Sequence, residues 1–167
     1  MCTVYTVVME KSYLSYADIH QQTKSLAFKI HASNWMPQVI VGLSRGGMLP
    51  ATLLSHNWRL PVKAFNLSLR DQSEFEPDQA AWLPQTISQG KRVLVVDDIN
   101  DSGATINWIK QDWQSRLVNT PGEFSDHVRF AVLLNKHTSQ TQVDYCAREI
   151  PADHSHTWWV FPWENLE

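Results

Sequence analysis

The sequence predicts one α/β domain, a mainly parallel central sheet flanked by helices, ending in a small aromatic C-terminal segment. Two observations lead there. Short apolar runs suited to buried strands alternate with stretches of helical periodicity, the pattern of βα units. The chain is 167 residues long and 43% hydrophobic, enough for one real core. No internal repeat or low-complexity tract interrupts it.

The elements follow in order. Ser15, Ile19, Thr23, Leu26, Ala27 and Ile30 recur at helical spacing, so residues 15–32 read as an amphipathic helix. Residues 38–43, QVIVGL, form an apolar run suited to a buried strand. Ser44-Arg45-Gly46-Gly47 breaks it, and a helix resumes over 48–55. A second strand is expected over 62–67. Residues 68–90 lack a sustained period and contain Pro77, Pro84 and Gly90. They read as a long surface loop, a length usually associated with lids. A strand over 92–97, a helix over 103–118 and a strand over 128–134 complete the alternation. The rest reads as short strand, turn and aromatic tail.

Composition excludes several function classes. Fourteen Lys and Arg stand against 17 acids, a net charge of -3, with no basic face. That argues against nucleic acid and anionic membrane surfaces as partners. The two cysteines, Cys2 and Cys146, have no CxxC or zinc spacing. The N-terminus lacks a basic leader, and no apolar segment approaches membrane-spanning length. The sequence therefore reads as soluble and cytoplasmic.

The chemistry concentrates in RVLVVDDINDSGATI, residues 92–106. Asp97 and Asp98 close a buried strand, at the edge where open α/β sheets bind ligands. Paired carboxylates there need a metal ion or hydroxyl donors as partners. Beyond them Asp101-Ser102-Gly103-Ala104-Thr105 turns into a helix, where free amides favour an anion. A polyol or metal site beside a phosphate cradle has the shape of a ribose 5-phosphate. Asp101 or Ser102 as a simple helix N-cap is the alternative. A receiver domain would start this strand at the N-terminus, and a Walker-B strand would need a P-loop that the sequence lacks.

VLVVDDINDSGAT resembles the phosphoribosyl-pyrophosphate signature of the type I phosphoribosyltransferases. Two further segments match that family in order. VIVGLSRGG, residues 39–47, resembles its pyrophosphate loop. Lys136 followed by TWWVFPWE, residues 157–164, is similar to the tail of the 6-oxopurine branch, the xanthine-guanine and hypoxanthine-guanine enzymes. The resemblance implies the type I fold, with a flexible lid over 68–90 and a base-recognition hood over 137–167. It implies transfer of a 5-phosphoribosyl group from phosphoribosyl pyrophosphate to N9 of guanine, xanthine or hypoxanthine, in purine salvage. It further implies Mg2+, a homodimer or homotetramer, and a non-proline cis peptide at Ser44–Arg45.

Carried over residue by residue, Ser44, Arg45, Gly46 and Gly47 hold pyrophosphate. Asp97 and Asp98 meet the ribose hydroxyls and the metal, and Asp101 to Thr105 hold the 5-phosphate. Asp101 is the general base at purine N7. Lys136 contacts the 6-oxo oxygen, Trp158 stacks on the base, the Trp159 backbone lines the pocket, and Glu164 meets the exocyclic edge. An ammonium donor suits a carbonyl oxygen and clashes with the amino group of adenine. A solvated strand-end lysine and a core tryptophan are the competing readings of Lys136 and Trp158. Trp159 and Trp163 read as packing or interface residues, among eight tryptophans in all.

Two features depart from the family pattern. Glu164 replaces the usual aspartate, and the 68–90 stretch offers only Arg70 against Asp71, Glu74, Glu76 and Asp78. His154 and His156 form an HxH pair with nothing nearby to complete a metal site, and His20, His31 and His56 read as helix-surface positions. The alternatives are a non-catalytic sensor of phosphoribosyl pyrophosphate and a transferase with a non-purine acceptor.

Overall fold

The computed structural model describes residues 10–67 and 79–164. Five parallel strands form the central sheet in the order β3-β2-β4-β5-β6: β2 (Val39–Ser44), β3 (Val62–Asn66), β4 (Val93–Asn100), β5 (Val128–Lys136) and β6 (Tyr145–Ile150). A separate two-stranded parallel ribbon pairs β1 (Lys11–Tyr13) with β7 (Trp158–Val160).

Alternation along the central strands builds a core on each face, as a period of two requires. Val39, Val41, Leu43, Val93 and Val95 face one side with Phe130 and Val132. Helix α4 (Ala104–Arg116) covers them with Ile106, Ile109 and Trp113. Ile40, Leu94, Val96 and Ala131 face the other side. There α1 (Tyr16–Ala32) contributes Leu26 and Ile30, and α2 (Met48–Trp58) contributes Ala51 and Leu54. A third cluster of Leu14, Ile19, Leu133, Leu134, Ile150 and Phe161 seats the β1–β7 ribbon on the carboxyl end of the sheet.

Local signals explain the boundaries. Ser15 caps α1 in a reciprocal box with Asp18: its hydroxyl accepts from the Asp18 amide, and the Asp18 carboxylate accepts from the Ser15 amide. Arg59 ends α2 in the left-handed conformation, φ 56°.

Three expectations need correction. Part of the 68–90 stretch is a helix, α3 (Leu83–Ser88), with Pro84 in its first turn and Leu83 and Ile87 buried under α4. Pro84 starts a short helix there rather than preventing one. Residues 68–78, with Arg70, Pro77 and all four acids of the stretch, lie outside the described residues. β4 runs three residues beyond 97, because pairing with β5 continues through Ile99↔Leu134 and Asn100↔Asn135. β6, placed in the hood by the sequence, is the edge strand of the main sheet. A short helix, α5 (Phe124–His127), also precedes β5.

Trp113 is wholly buried between Phe65 and Trp82, edge-on to both at 5.5 and 6.0 Å. Its indole nitrogen has no partner among the described residues. We expect Trp113→Ala to cost about 3–5 kcal/mol in urea unfolding. Trp113→Phe should cost about 1–2 kcal/mol, since it keeps the ring contacts and removes an unsatisfied donor.

Candidate active site

The strand order places the site. The chain leaves β2 toward β3 on one side and returns to β4 on the other, so the β2 and β4 carboxyl ends flank a topological switch point. The loop after β2 and the carboxylates of β4 are therefore neighbours. A Cβ at Gly46 would overlap the Asp98 carboxylate, and one at Gly47 would overlap the β4 backbone at Val96 and Asp97, so the loop runs directly against that strand end. The Ser44–Arg45 peptide is cis, as the resemblance implies.

A cleft of about 380 Å³ opens over β4, lined by Asp97, Asp98, Asn100 to Thr105, Lys136, Trp158, Trp159 and Glu164. It gathers the expected ribose, phosphate and base groups. A second cavity of about 1070 Å³ adjoins it and adds Arg45 and Gly46, sharing Asp98, Trp158 and Glu164. Ser44 supports the loop instead: its hydroxyl donates to the side-chain amide oxygen Oδ1 of Asn66 on β3. Gly47 is the N-cap of α2, packed against the β4 backbone.

The carboxylates are electrostatically loaded. Asp97 Oδ1 accepts from the Asp98 amide at 3.0 Å, and Asp98 Oδ1 from the Ile99 amide at 2.7 Å. Desolvation, with the Asp98 charge beside it, holds the Asp97 carboxyl well above the usual range. Desolvation also pushes Asp98 up to about 6, with the Glu164 charge adding to the rise against backbone hydrogen bonding from Ile99. Two crowded carboxylates in such a place favour a cation or hydroxyl donors.

The N-cap of α4 is Gly103, at φ 86°, a residue with no side chain of its own to cap the helix. Its amides face the turn, with Ser102 Oγ accepting from Ala104 N at 3.3 Å. A Cβ at Gly103 would stand 2.8 Å from Ser139 Oγ and from Thr141, so the β5–β6 loop packs directly on this turn. Asp101 pairs with Lys136: Nζ to Oδ1 is 2.8 Å. The lysine side chain is 12% exposed, which rules out a solvated strand-end lysine.

Trp158 is 44% exposed at the shared wall of the two cavities, and so is not a core residue. Trp159 packs beneath it, with the Arg148 guanidinium 4.7 Å from its ring. Trp163 stacks on Phe161 at 4.9 Å, the packing role expected of it. Glu164 curls back, Oε2 accepting from the Phe161 amide at 3.1 Å. His154 lies 3.9 Å from Asp153 on the surface, and His20, His31 and His56 are exposed on their helices. Among the described residues no three His, Cys, Asp or Glu gather to hold a metal ion. Nor is any helix there long and apolar enough to cross a membrane.

Several wall residues carry no local signal in the sequence. Leu67, Ile106 and Thr157 line the first cleft, and Lys11, Tyr13 and Tyr16 the second. β1 reaches the site only through its pairing with β7, a contact across most of the chain that no local pattern signals.

Comparison with known proteins agrees with this geometry. The model of the phosphoribosyl transferase domain matches residues 11–165. The chain belongs to that family. A xanthine-guanine phosphoribosyltransferase of Cereibacter sphaeroides is 27% identical over 158 residues, covering 91% of this chain and 86% of that protein. The structure of a purine phosphoribosyltransferase from Pyrococcus horikoshii superposes with a TM-score of 0.66 at 27% identity, covering 95% of this chain and 97% of that one. A protein of Neisseria gonorrhoeae solved with bound ppGpp has the same fold, TM-score 0.72 at 23% identity, covering 97% and 93%.

A raised carboxyl pKa means the folded state prefers the neutral acid, so Asp98 weakens the fold progressively as pH rises from about 4 through about 6. Asp98→Asn should therefore raise stability at pH 8, by an amount on the order of 1–2 kcal/mol without ligand or metal. The gain should vanish near pH 4. Urea melts at the two pH values measure it.

Proposed function

We propose that this phosphoribosyltransferase moves the 5-phosphoribosyl group of phosphoribosyl pyrophosphate to N9 of a 6-oxopurine, releasing pyrophosphate. The observation that carries the reading is the Lys136–Asp101 pair at 2.8 Å, seated between the phosphate turn and the exposed face of Trp158. A lysine donor held beside a stacking indole suits a carbonyl-bearing base. Relatives named as xanthine-guanine enzymes support the acceptor class. Guanine, xanthine and hypoxanthine all present that oxygen, and salvage of such bases is the corresponding role.

Each residue then has a chemical task. The α4 amides and the Ser102 and Thr105 hydroxyls bind the 5-phosphate as a helix start binds anions. Asp97 and Asp98 take the ribose hydroxyls, and Arg45 with the 44–47 backbone takes the pyrophosphate. Asp101 accepts the purine N7 proton when the base displaces its contact with Lys136, whose ammonium then donates to the 6-oxo oxygen. Glu164 accepts from the exocyclic edge. Developing positive charge on the ribose is stabilised by the carboxylates beneath it.

The donor set also fits Mg2+. Two hard carboxylates, with no third such ligand gathered beside them among the described residues, match an ion that completes its shell from substrate oxygens and water. Asp97 and Asp98 would hold it, and bound there it would neutralise the departing pyrophosphate. The proposed setting is cytoplasmic, and the proposed assembly a homodimer or homotetramer.

The test is a base panel. Purified protein with Mg2+ and phosphoribosyl pyrophosphate should convert guanine, xanthine or hypoxanthine to nucleotide, and adenine at least about a hundredfold more slowly. Asp101→Asn should lower kcat by about 10²–10⁴-fold with little change in ligand binding. No nucleotide from any of the four bases would sink the reading. Lys136→Met should raise the KM for 6-oxopurines and narrow the margin over adenine, read from the same panel.

A further inference from the structure

Asn100 stands in the middle of the site without an assigned task. It is 2% exposed, one of the few buried polar residues, and it occupies a strand position where an apolar side chain would be the simpler choice. Its Nδ2 donates to Asn135 Oδ1 at 2.8 Å and to the Thr141 carbonyl at 2.7 Å. Asn135 Nδ2 in turn donates to Glu149 Oε2 at 2.8 Å.

These contacts follow the register of the sheet. Asn100 is the partner of Asn135 across β4 and β5, and Asn135 is the partner of Glu149 across β5 and β6. In-register residues of adjacent parallel strands share a face, so the three side chains form a polar rung across three strand ends. Asp101 follows Asn100 in the chain, and Lys136 follows Asn135. The rung therefore ties together the two backbone points from which the Asp101–Lys136 pair springs. The Thr141 contact extends the tie to the β5–β6 loop, whose Gln140 amide donates to Ser102 O at 3.2 Å in the phosphate turn.

We infer that Asn100, through Asn135 and Glu149, is a positioning residue that sets the separation of Asp101 and Lys136 and anchors the β5–β6 loop on the phosphate turn. This rests on the proposed transferase function for its kinetic consequence, though not for its geometric one. A displacement of about an ångström between reacting groups is enough to cost one to two orders of magnitude in rate. The rung holds the strand ends at fixed spacing before any ligand arrives.

The experiment compares Asn100→Val, Glu149→Ala and Glu149→Gln with wild type by two readouts. The first is steady-state kinetics with the preferred base. The second, independent of activity, is acylation of Lys136 by acetic anhydride, mapped by mass spectrometry against the exposed Lys24 in the same molecule. Asn100→Val should acylate Lys136 at least about threefold faster and lose at least about tenfold in kcat/KM for the base. Glu149 is half-exposed, so Glu149→Ala tests the rung without threatening the fold. It should move both readouts in the same direction. Glu149→Gln, still able to accept from Asn135, should stay near wild type in the acylation ratio. Unchanged Lys136 acylation in both Asn100→Val and Glu149→Ala overturns the inference, whatever the kinetics do. If wild type makes no nucleotide, the transferase reading falls and the acylation ratio alone decides the rung.

Discussion

The constraint on which the rest of the site depends is the close approach of the β2 and β4 carboxyl ends, which leaves no room for a Cβ at Gly47 against the β4 backbone and sets Gly46 directly on the Asp98 carboxylate. That approach follows from the reversal of strand order at the sheet centre. Because the sheet is covered on both faces, the strand ends are its accessible functional edge. Two carboxyl groups placed there lose much of their hydration, which raises both pKa values, with the Asp98 charge adding to the rise at Asp97 and the Glu164 charge to that at Asp98. The fold thus carries an electrostatic cost at the place where a cation or a polyol would relieve it. Sites of binding commonly hold such a cost.

Around this edge the structure divides its work between rigid and adjustable parts. At the α4 start Gly103 brings no side chain of its own, and the β5–β6 loop packs too closely to admit a Cβ there. Lys136 and Asp101 satisfy each other in this structure, so neither charge is left alone in a partly desolvated cleft. Both are then poised to exchange that contact for one with a ligand. The ribbon of β1 and β7 presents Trp158 from the opposite wall, seated on its own apolar cluster.

Much of this was legible in the sequence. The apolar runs at Val39–Leu43 and Val93–Val96 marked buried strands because a sheet covered by helices on both faces needs continuous hydrophobicity. The order of acids, glycine and hydroxyls over residues 97–105 marked an anion site because few other arrangements use uncapped amides beside carboxylates. Helix α3 was missed because its two buried residues, Leu83 and Ile87, give too short a period to stand out among prolines and polar residues. The length of β4 was missed because its last residues continue by pairing with β5, a long-range contact.

By itself, the sequence determined the α/β class, the strand carrying the acids and the family motifs, since these depend on local pattern and residue chemistry. Only the tertiary structure decided that Asp101 pairs with Lys136. It alone separated Trp158, exposed in the cleft, from Trp113, sealed in the core. It also decided that Asn100, Asn135 and Glu149 form one rung. The physical reason is register. Which side chains meet across parallel strands depends on how segments tens of residues apart align, and no stretch of sequence states that alignment.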